Sequence, residues 1–287
     1  VLFRSRQNFV SVKDETSGKV IIGVEDGANN SYCDLLFYVN ASKTIEEPND
    51  RPVITPDDGN EPEKPDVTET KTGTLAFEDI WPGGGDYDMN DVIVEYNRAV
   101  SFDKKNQVTK IVDTFTPVHD GAVFANAFAY QVDKGQFGKM TFSATTEGIH
   151  TESATSSIIV CPNVKQAIQK VYTITREFTG GSFNKKDLKS YNPYIIVKYA
   201  EGQKGRTEVH LPKHEATSLA DLSLAGTQKD AYYIDKEGAY PFAIDIPILN
   251  FISVTEKKSI DTEYPNFKAW ADSKGEKYTD WYNNHVN

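Results

Sequence analysis

The hydrophobic residues of this chain fall in short runs that alternate with polar residues, and turn-forming residues separate the runs. The runs are rich in Val, Ile, Phe, Tyr and Thr, whereas Gly, Asp, Asn and Pro lie between them. This pattern is typical of β-strands that bury one face. The clearest predicted strands are DVIVEYNRAVSF at 91–102, QVTKIVDTFTPV at 107–118, AVFANAFAYQV at 122–132, VYTITREFT at 171–179 and YIIVKYA at 194–200.

Turns and helices complete the predicted fold. KKNQ at 104–107 and HDGA at 119–122 lie where hairpin turns belong, and Asp120-Gly121 suits a turn that needs positive φ. Helical patterns are limited to short pieces, at 163–170 and 265–273. The sequence therefore predicts a mainly β protein, an antiparallel β-sandwich of jelly-roll type with a few short helices.

The segment 43–70 differs from the rest of the chain in composition. It holds five prolines and nine acidic residues against three basic ones. Proline has no backbone N–H to donate in a strand ladder, and the excess negative charges of the segment repel one another. We therefore expect an extended acidic linker. The predicted units are therefore a first piece at 1–42, which is too short for an ordinary independent core, and a main domain at 71–287.

Charge and cysteine content narrow the classes of partner. The net charge of −11 argues against nucleic acid and anionic membranes, because both require a basic surface. No run of eighteen apolar residues occurs, so no membrane-spanning segment is predicted. Cys33 and Cys161 are far apart and are expected to be two small buried side chains. The chain begins without methionine, which indicates a trimmed fragment, so localisation must be inferred from other features.

The most unusual stretch is GGGDYDMND at 83–91, which follows an upstream Glu-Asp pair. Short oxygen-bearing side chains recur there at i, i+2 and i+4, the spacing of a calcium-binding loop, and no Lys, Arg or His lies among them. Calcium takes six to eight oxygen ligands, whereas zinc prefers His or Cys and magnesium keeps more water. We predict a calcium site, with magnesium as the alternative ion. The predicted ligands are Glu78, Asp79, Asp86, Asp88, Asn90 and Asp91.

Electrostatics favours a cation in this stretch. Two carboxylates about 4 Å apart repel by roughly 1 kcal/mol in water and about 4 kcal/mol at an effective dielectric near 20. If Phe77 and Val92 face the core, strand alternation allows Glu78 and Asp91 to meet on the opposite face. The alternative is an acidic, solvated hairpin loop in which Asp and Asn form Asx turns.

A weak internal repeat relates this stretch to the start of the chain. IIGVEDGANNSYCDLLFYV at 21–39 has the same layout as GTLAFEDIWPGGGDYDMNDVIVEY at 73–96, with a Glu-Asp pair, a loop and an Asp that opens the next strand. In the first copy, Asn29, Ser31 and Cys33 replace Asp86, Asp88 and Asn90. We therefore expect one complete site and one degenerate site, which keeps Glu25, Asp26 and Asp34.

Other candidate residues carry weaker signals. His210 and His214 have i, i+4 spacing, but Pro212 lies between them, so we interpret them as loop residues rather than zinc ligands. The three tryptophans fit core or capping positions better than a sugar-stacking platform. No GxSxG motif occurs, and Cys161 has no neighbouring histidine in the sequence.

Four motifs give the chain a resemblance to a known family from about Gly73 to its end. They are AFEDIWPGGGDYDMNDVIVEY, EVHLPKHEATSLADLSLAGT, YPFAIDIP and YPNFKAWADSKGEKYTDWY. This region resembles the LruC domain, a family of unknown function in secreted and surface proteins of Bacteroides-type bacteria. Residues 1–42 resemble the C-terminal part of a second family of unknown function, built from acidic repeats. The resemblance implies an exported protein that is either secreted or held at the outer cell surface, where an N-terminus preceding this chain would carry a lipid anchor.

Three functions are compatible with these features. The first is a non-catalytic, calcium-stabilised surface module for adhesion, assembly or contact with a surface glycan or protein. The second is a hydrolase of glycosidase type that uses two of the clustered carboxylates, and the third is a structural spacer of a larger surface protein. Catalysis requires two carboxyl groups about 5–10 Å apart, whereas a metal site requires all of them to converge. Five acids in one short stretch favour the first function.

Overall fold

The computed structural model of the chain describes residues 9–13, 20–24, 35–39, 67–178, 183–189, 191–202 and 205–286. The chain divides into two compact units, residues 1–63 and 64–287. In the first unit, three antiparallel strands form a sheet in chain order. These strands are β1 (Phe9–Lys13), β2 (Val20–Val24) and β3 (Leu35–Val39). The assignment of residues 1–42 to an acidic-repeat domain stays a prediction.

The second unit contains two antiparallel sheets. The strands of the six-stranded sheet are β4 (Val67–Phe77), β5 (Val92–Phe102), β6 (Val108–His119), β8 (Met140–Ala144), β11 (Tyr172–Phe178) and β14 (Ala243–Ile246). The strands of the five-stranded sheet are β7 (Ala127–Gln131), β9 (His150–Glu152), β10 (Ser157–Cys161), β12 (Asn192–Ile196) and β13 (Glu208–His210). Their orders are β14-β4-β5-β6-β11-β8 and β13-β12-β7-β10-β9.

The two sheets pack face to face around an aromatic core. The ring centroids of Phe77 and Phe115, from the six-stranded sheet, lie 6.3 Å and 5.1 Å from that of Phe128 in the five-stranded sheet. All three side chains are buried, as are Leu75 and Val94 on the same face of their sheet. This face-to-face packing of antiparallel sheets confirms the predicted mainly β sandwich.

Helices are short in the described part of the chain. The α-helices are α1 (Lys134–Phe137) and α2 (Phe267–Asp272). Six 3₁₀ turns are Val164–Gln166, Lys185–Asp187, Tyr199–Glu201, Leu222–Leu224, Ile260–Thr262 and Trp281–Asn283. The helical pattern at 265–273 is confirmed by α2, whereas the pattern at 163–170 forms only a 3₁₀ turn.

One predicted hairpin is present and the other is not. KKNQ joins β5 to β6, and Asn106 has the positive φ of 56° that such a turn needs. The prediction of a hairpin at HDGA is wrong, because after His119 the chain leaves one sheet for the other, and β7 pairs with β10 and β12. Gly121 is not in the positive-φ region; a Cβ there would lie 2.5 Å from Asn90 Oδ1. Close approach to the acidic stretch, rather than turn geometry, therefore requires this glycine.

Strand boundaries also differ from the sequence prediction in two places. β4 begins at Val67 and so includes the last residues of the predicted 43–70 linker, whose other residues lie outside the described part of the chain. In the predicted strand 122–132, only Ala127–Gln131 is a strand, because the preceding residues form the connection between the sheets.

Most single-residue core predictions that fall on described residues are confirmed. Cys161 is a free and buried cysteine, whereas Cys33 lies outside the described residues. Trp81 and Trp281 are buried, and Trp270 is partly buried against the same core. These tryptophans are packing residues, as the sequence indicated.

The C-terminal segment, residues 247–286, covers the outer face of the six-stranded sheet beside β4 and β5. Thr74 and Glu95 pair across β4 and β5 on that face. The Thr74 hydroxyl donates to the Ile248 carbonyl at 2.7 Å, and the Asn250 amide donates to Glu95 Oε1 at 2.6 Å. Both faces of the sheet are thereby buried around the N-terminal end of β5, and the segment continues to the acidic stretch.

A buried carboxylate joins the two sheets. Asp113 on β6 accepts from Arg98 Nε at 2.6 Å, from Arg176 Nη2 at 2.9 Å and from the Tyr130 hydroxyl of the other sheet at 3.0 Å. Burial alone would raise the pKa of the Asp113 carboxyl, but the two guanidinium groups lower it below its ordinary value. Asp113 is therefore charged and holds two cations in the interior.

We expect Asp113→Ala to destabilise the main unit by about 3–5 kcal/mol, because it leaves two buried guanidinium groups without a counter-ion. The comparison variant is Glu69→Gln, which breaks the ion pair with Lys185, where both side chains are about half exposed. Such exposed pairs contribute about 0–1 kcal/mol. Urea unfolding of both variants checks this expectation, and equal losses would contradict it.

Candidate functional site

The predicted acidic residues lie where the β4–β5 ladder ends. Phe77 and Val92 form the last pair of that ladder, so Glu78 and Asp91 are the next residues on either side. The Asp79 amide donates to Asp91 Oδ2 at 2.7 Å and fastens the two strand ends together. The ladder thus ends in carboxylates from both strands.

The loop between these strand ends alternates its side chains between the core and the opposite side. Tyr87 and Met89 have positive φ values of 56° and 54°, although neither is glycine. This backbone costs of order 1–3 kcal/mol per residue and persists only where the surroundings enforce it. Both side chains are buried, and the Tyr87 ring lies 5.6 Å from that of Phe242. Asp86 and Asp88 are consequently set on the side of Glu78.

Three carboxylates converge at this point. Oxygens of Glu78, Asp86 and Asp88 all lie within 4.8 Å of one another. Glu78 is fully buried and Asp88 nearly so, whereas Asp86 is exposed. Glu78 Oε1 accepts from the Met89 amide at 2.6 Å, but Glu78 Oε2 has no hydrogen-bond partner among the described residues. A buried carboxylate oxygen without a donor is costly, so a positive group would stabilise this site.

The glycines of the loop permit close packing rather than unusual φ. A Cβ on Gly85 would lie 2.6 Å from Glu78 Oε2. A Cβ on Gly84 would instead meet the Lys229 side chain at 2.6 Å. Neither glycine has positive φ. Gly85 is therefore the position at which a side chain would obstruct the cluster.

Burial and mutual repulsion raise the pKa values of Glu78, Asp88 and Asp91. Burial first, and then the charge of Asp91, raises the pKa of Glu78 well above its ordinary value. Burial also raises the pKa of Asp88. For Asp91, burial followed by the charge of Asp79 raises the pKa to about 8. The uncompensated charge of the cluster therefore favours either protonation or a bound cation.

Two of the six predicted ligands bond to neighbouring segments and lie outside the group of three converging carboxylates. Asp79 Oδ2 accepts from Asn126 Nδ2 at 2.7 Å, and burial raises its pKa. Asn90 Nδ2 donates to the Val254 carbonyl at 3.2 Å, while its Oδ1 lies beside Gly121 and has no hydrogen-bond partner among the described residues. The structure thus brings Glu78, Asp86 and Asp88 together with Asp91 at their edge. Asp79 and Asn90 tie the loop to neighbouring segments.

Distant residues that the sequence analysis missed support the loop. The Lys257 amide donates to Asp88 Oδ2 at 2.9 Å, 169 residues along the chain. The Gly121 amide donates to the Asn90 carbonyl at 3.0 Å, and Asn126 holds Asp79. These contacts come from the connection between the sheets and from the C-terminal segment. No local motif marks them, because they depend on tertiary packing.

The remaining sequence candidates have different outcomes. The residues of the first copy, Glu25 to Asp34, lie outside the described part of the chain, so its degeneracy stays a prediction. The interpretation of His210 as a loop residue is wrong, since it lies in β13 and is buried. Its ring nitrogens contact Glu208 Oε2 at 2.9 Å and Asn192 Oδ1 at 2.8 Å. Burial lowers the pKa of His210 more than the Glu208 carboxylate raises it. His210 is thus a structural core residue.

Comparison with known protein families identifies a family that matches most of the main unit. A family model described as "Domain of unknown function (DUF4842)" matches residues 106–282, more than half of the chain. The chain belongs to this family. The matched part of this DUF4842 protein includes the supporting residues Gly121, Asn126 and Lys257, but it begins after the acidic loop. The narrower resemblance to the LruC domain stays a prediction. No curated protein matches the chain.

A solved structure shares the fold. A crystal structure of a candidate lipoprotein from Bacteroides ovatus matches with a TM-score of 0.57 and 16% sequence identity. The match covers 94% of this chain and 89% of that one. At this identity the likeness concerns the fold alone. Among the described residues, no helix has the length and apolar character needed to cross a membrane.

The raised pKa of Asp91 predicts how the metal-free protein responds to pH. Its folded value of about 8 exceeds the ordinary value near 4, so between these limits the folded state holds a proton that the unfolded state releases. The unfolding free energy should therefore fall as pH rises through this window. We expect wild type in chelator to lose on the order of 1–3 kcal/mol more than Asp91→Asn between pH 5 and pH 8, after allowance for solvent screening.

Denaturant unfolding at the two pH values measures this difference. Groups such as His210 contribute equally to both proteins and cancel in the comparison. Asn at position 91 cannot titrate and also relieves the repulsion on Glu78. An identical pH dependence of the two proteins would show that Asp91 holds no excess proton.

Proposed function

We propose that this chain is a non-catalytic surface module whose acidic loop is stabilised by calcium and which serves adhesion, assembly or glycan contact. The observation that carries the calcium proposal is the fully buried Glu78 carboxylate, which converges with Asp86 and Asp88 and whose Oε2 lacks a partner among the described residues. The likeness to a candidate Bacteroides lipoprotein supports a position at the outer cell surface, held by a lipid anchor. It also fits the resemblance to the LruC domain.

The ligand set supports calcium over other ions. The cluster offers only oxygen atoms, and its carboxylates come from a strand end and from a loop that is fixed by tertiary contacts. Oxygen ligands with tolerant geometry suit calcium, whereas zinc would require nitrogen or sulfur. Glu78, Asp86 and Asp88 would hold the ion, with Asp91 adding charge at its edge. Exposed Asp86 leaves one side open to water ligands.

The spacing of the carboxylates favours a metal site over a hydrolase. A glycosidase places its two carboxyl groups about 5–10 Å apart on either side of a substrate bond. Oxygens of Glu78, Asp86 and Asp88 lie within 4.8 Å of one another, and the first is fully buried. A substrate bond does not fit between groups that converge on one point. The spacer function remains the alternative if no surface partner binds.

Calcium should raise the melting temperature of the protein. If calcium binds only the folded loop, a hundredfold excess over Kd adds about 2.7 kcal/mol. For a unit of this size we expect a shift of about 5–10 °C relative to a chelated sample. Asp88→Ala and Asp91→Ala should abolish the shift, because each removes negative charge at the cluster. Scanning calorimetry with and without chelator measures it.

Two aspartates provide matched controls. Asp272 lies on α2 and is about half exposed, so Asp272→Asn should keep the full shift. Asp34→Ala, in the first copy, should also keep it if that copy is degenerate. A wild-type melting curve that is indifferent to both calcium and chelator would refute the calcium site. In parallel, a glycan and host-protein array with and without calcium tests the surface function, and calcium-dependent binding to a defined partner would support it.

Substitutions at two adjacent glycines distinguish an effect on the calcium site from a general effect on the loop. Gly85→Ala should weaken calcium binding by about 10–100-fold, because the new methyl group displaces the Glu78 carboxylate. Gly84→Ala should bind like wild type, since its methyl group meets only the flexible, half-exposed Lys229 side chain. Isothermal titration calorimetry measures both affinities. Equal affinities would place the ion away from Glu78.

A further inference from the structure

A second cluster of charged groups lies about 20 Å along β5 from the acidic loop. It surrounds a small cavity between β5, β11 and helix α1. The cavity is small, with a volume of about 10 Å³. The lining residues are Arg98, Val132, Asp133, Gln136, Arg176, Leu188, Lys189 and Tyr191.

The charges around this cavity do not balance. Arg98 and Arg176 both bind Asp113, so two guanidinium groups share one carboxylate. Asp113 and Arg176 are almost fully buried, and the Arg98 side chain is 12% exposed. The other two charged lining residues, Asp133 and Lys189, pair with each other at 3.0 Å. One buried positive charge is left without a counter-ion in the described part of the chain.

The two arginines also lack some hydrogen-bond acceptors in the described part of the chain. Arg98 Nη2 and Arg176 Nε are buried donors without a partner among the described residues. The face of Tyr191 covers the Arg98 guanidinium, with its ring centroid 3.6 Å from Cζ, but a ring face supplies no charge. A buried charged donor without an acceptor is more costly than a neutral one.

We propose that this cavity is a binding site for a small monovalent anion of halide size. A water molecule would accept a hydrogen bond but would leave the buried positive charge uncompensated, whereas a halide supplies both an acceptor and the charge. The exposed Lys189 side chain is neutralised by Asp133, so the surplus charge at the cavity is that of the two arginines.

Diffraction tests the site directly. Crystals of the protein grown in sodium bromide should show an anomalous peak between Arg98 and Arg176. Electron density there without an anomalous signal would identify water and overturn the proposal. This test uses wild-type protein and does not depend on the folding of a variant.

Melting experiments test the anion in solution. At constant ionic strength, replacing gluconate with chloride should raise the melting temperature by about 3–6 °C at a tenfold excess over Kd. Arg176→Gln removes the surplus charge and should abolish this response. Lys268→Gln removes the same charge from a partly exposed position on α2 and should keep it. A response that is absent in wild type, or equal in wild type and Arg176→Gln, would overturn the proposal.

Discussion

The register of the central strands β4, β5 and β6 fixes the position of the key charged groups of both clusters. Phe77 pairs with Val92, which places Glu78 and Asp91 together at the ladder's end, and Arg98 pairs with Asp113 in the interior. Because side chains alternate between the faces of a strand, a slip of one residue would move all of these groups to the wrong face. The aromatic core between the sheets prevents such a slip, since it would expose Phe77 and Phe115.

The protein meets the cost of buried carboxylates in two different ways. Asp113 has two arginines and a tyrosine hydroxyl, so its charge is satisfied by the chain itself, with cationic charge to spare. Glu78 has one backbone donor and acidic neighbours, so no cationic group among the described residues compensates its charge and its Oε2 has no partner there. Structural ion pairs and ligand sites differ in this respect. The cluster around Asp113 has an excess of positive charge, and the cluster around Glu78 has an excess of negative charge. Each therefore attracts an ion of the opposite charge.

Sequence patterns predicted the sandwich and the acidic loop, but not what holds the loop. Strand alternation identified β5, β6 and β11 because those strands carry period-2 patterns, and it placed Glu78 opposite Asp91. The HDGA hairpin was wrong because Asp-Gly is a local turn signal, whereas the path of the chain there is set by a sheet-to-sheet crossing. His210 was misinterpreted because a proline two residues later resembles a loop boundary. No sequence pattern predicts the hydrogen bonds from the backbone amides of Gly121 and Lys257, because every residue except proline carries such an amide.

The alternating backbone of the acidic loop has a consequence for how its sequence can change. Tyr87 and Met89 pack into the core while Asp86 and Asp88 face the cluster, so neighbouring positions serve opposite environments. A deletion of one residue would exchange the two sets, bringing carboxylates into the core and a tyrosine into the cluster. Substitutions that keep each position's character leave the arrangement intact. Over evolutionary time, the residues of this loop should therefore change while its length stays the same.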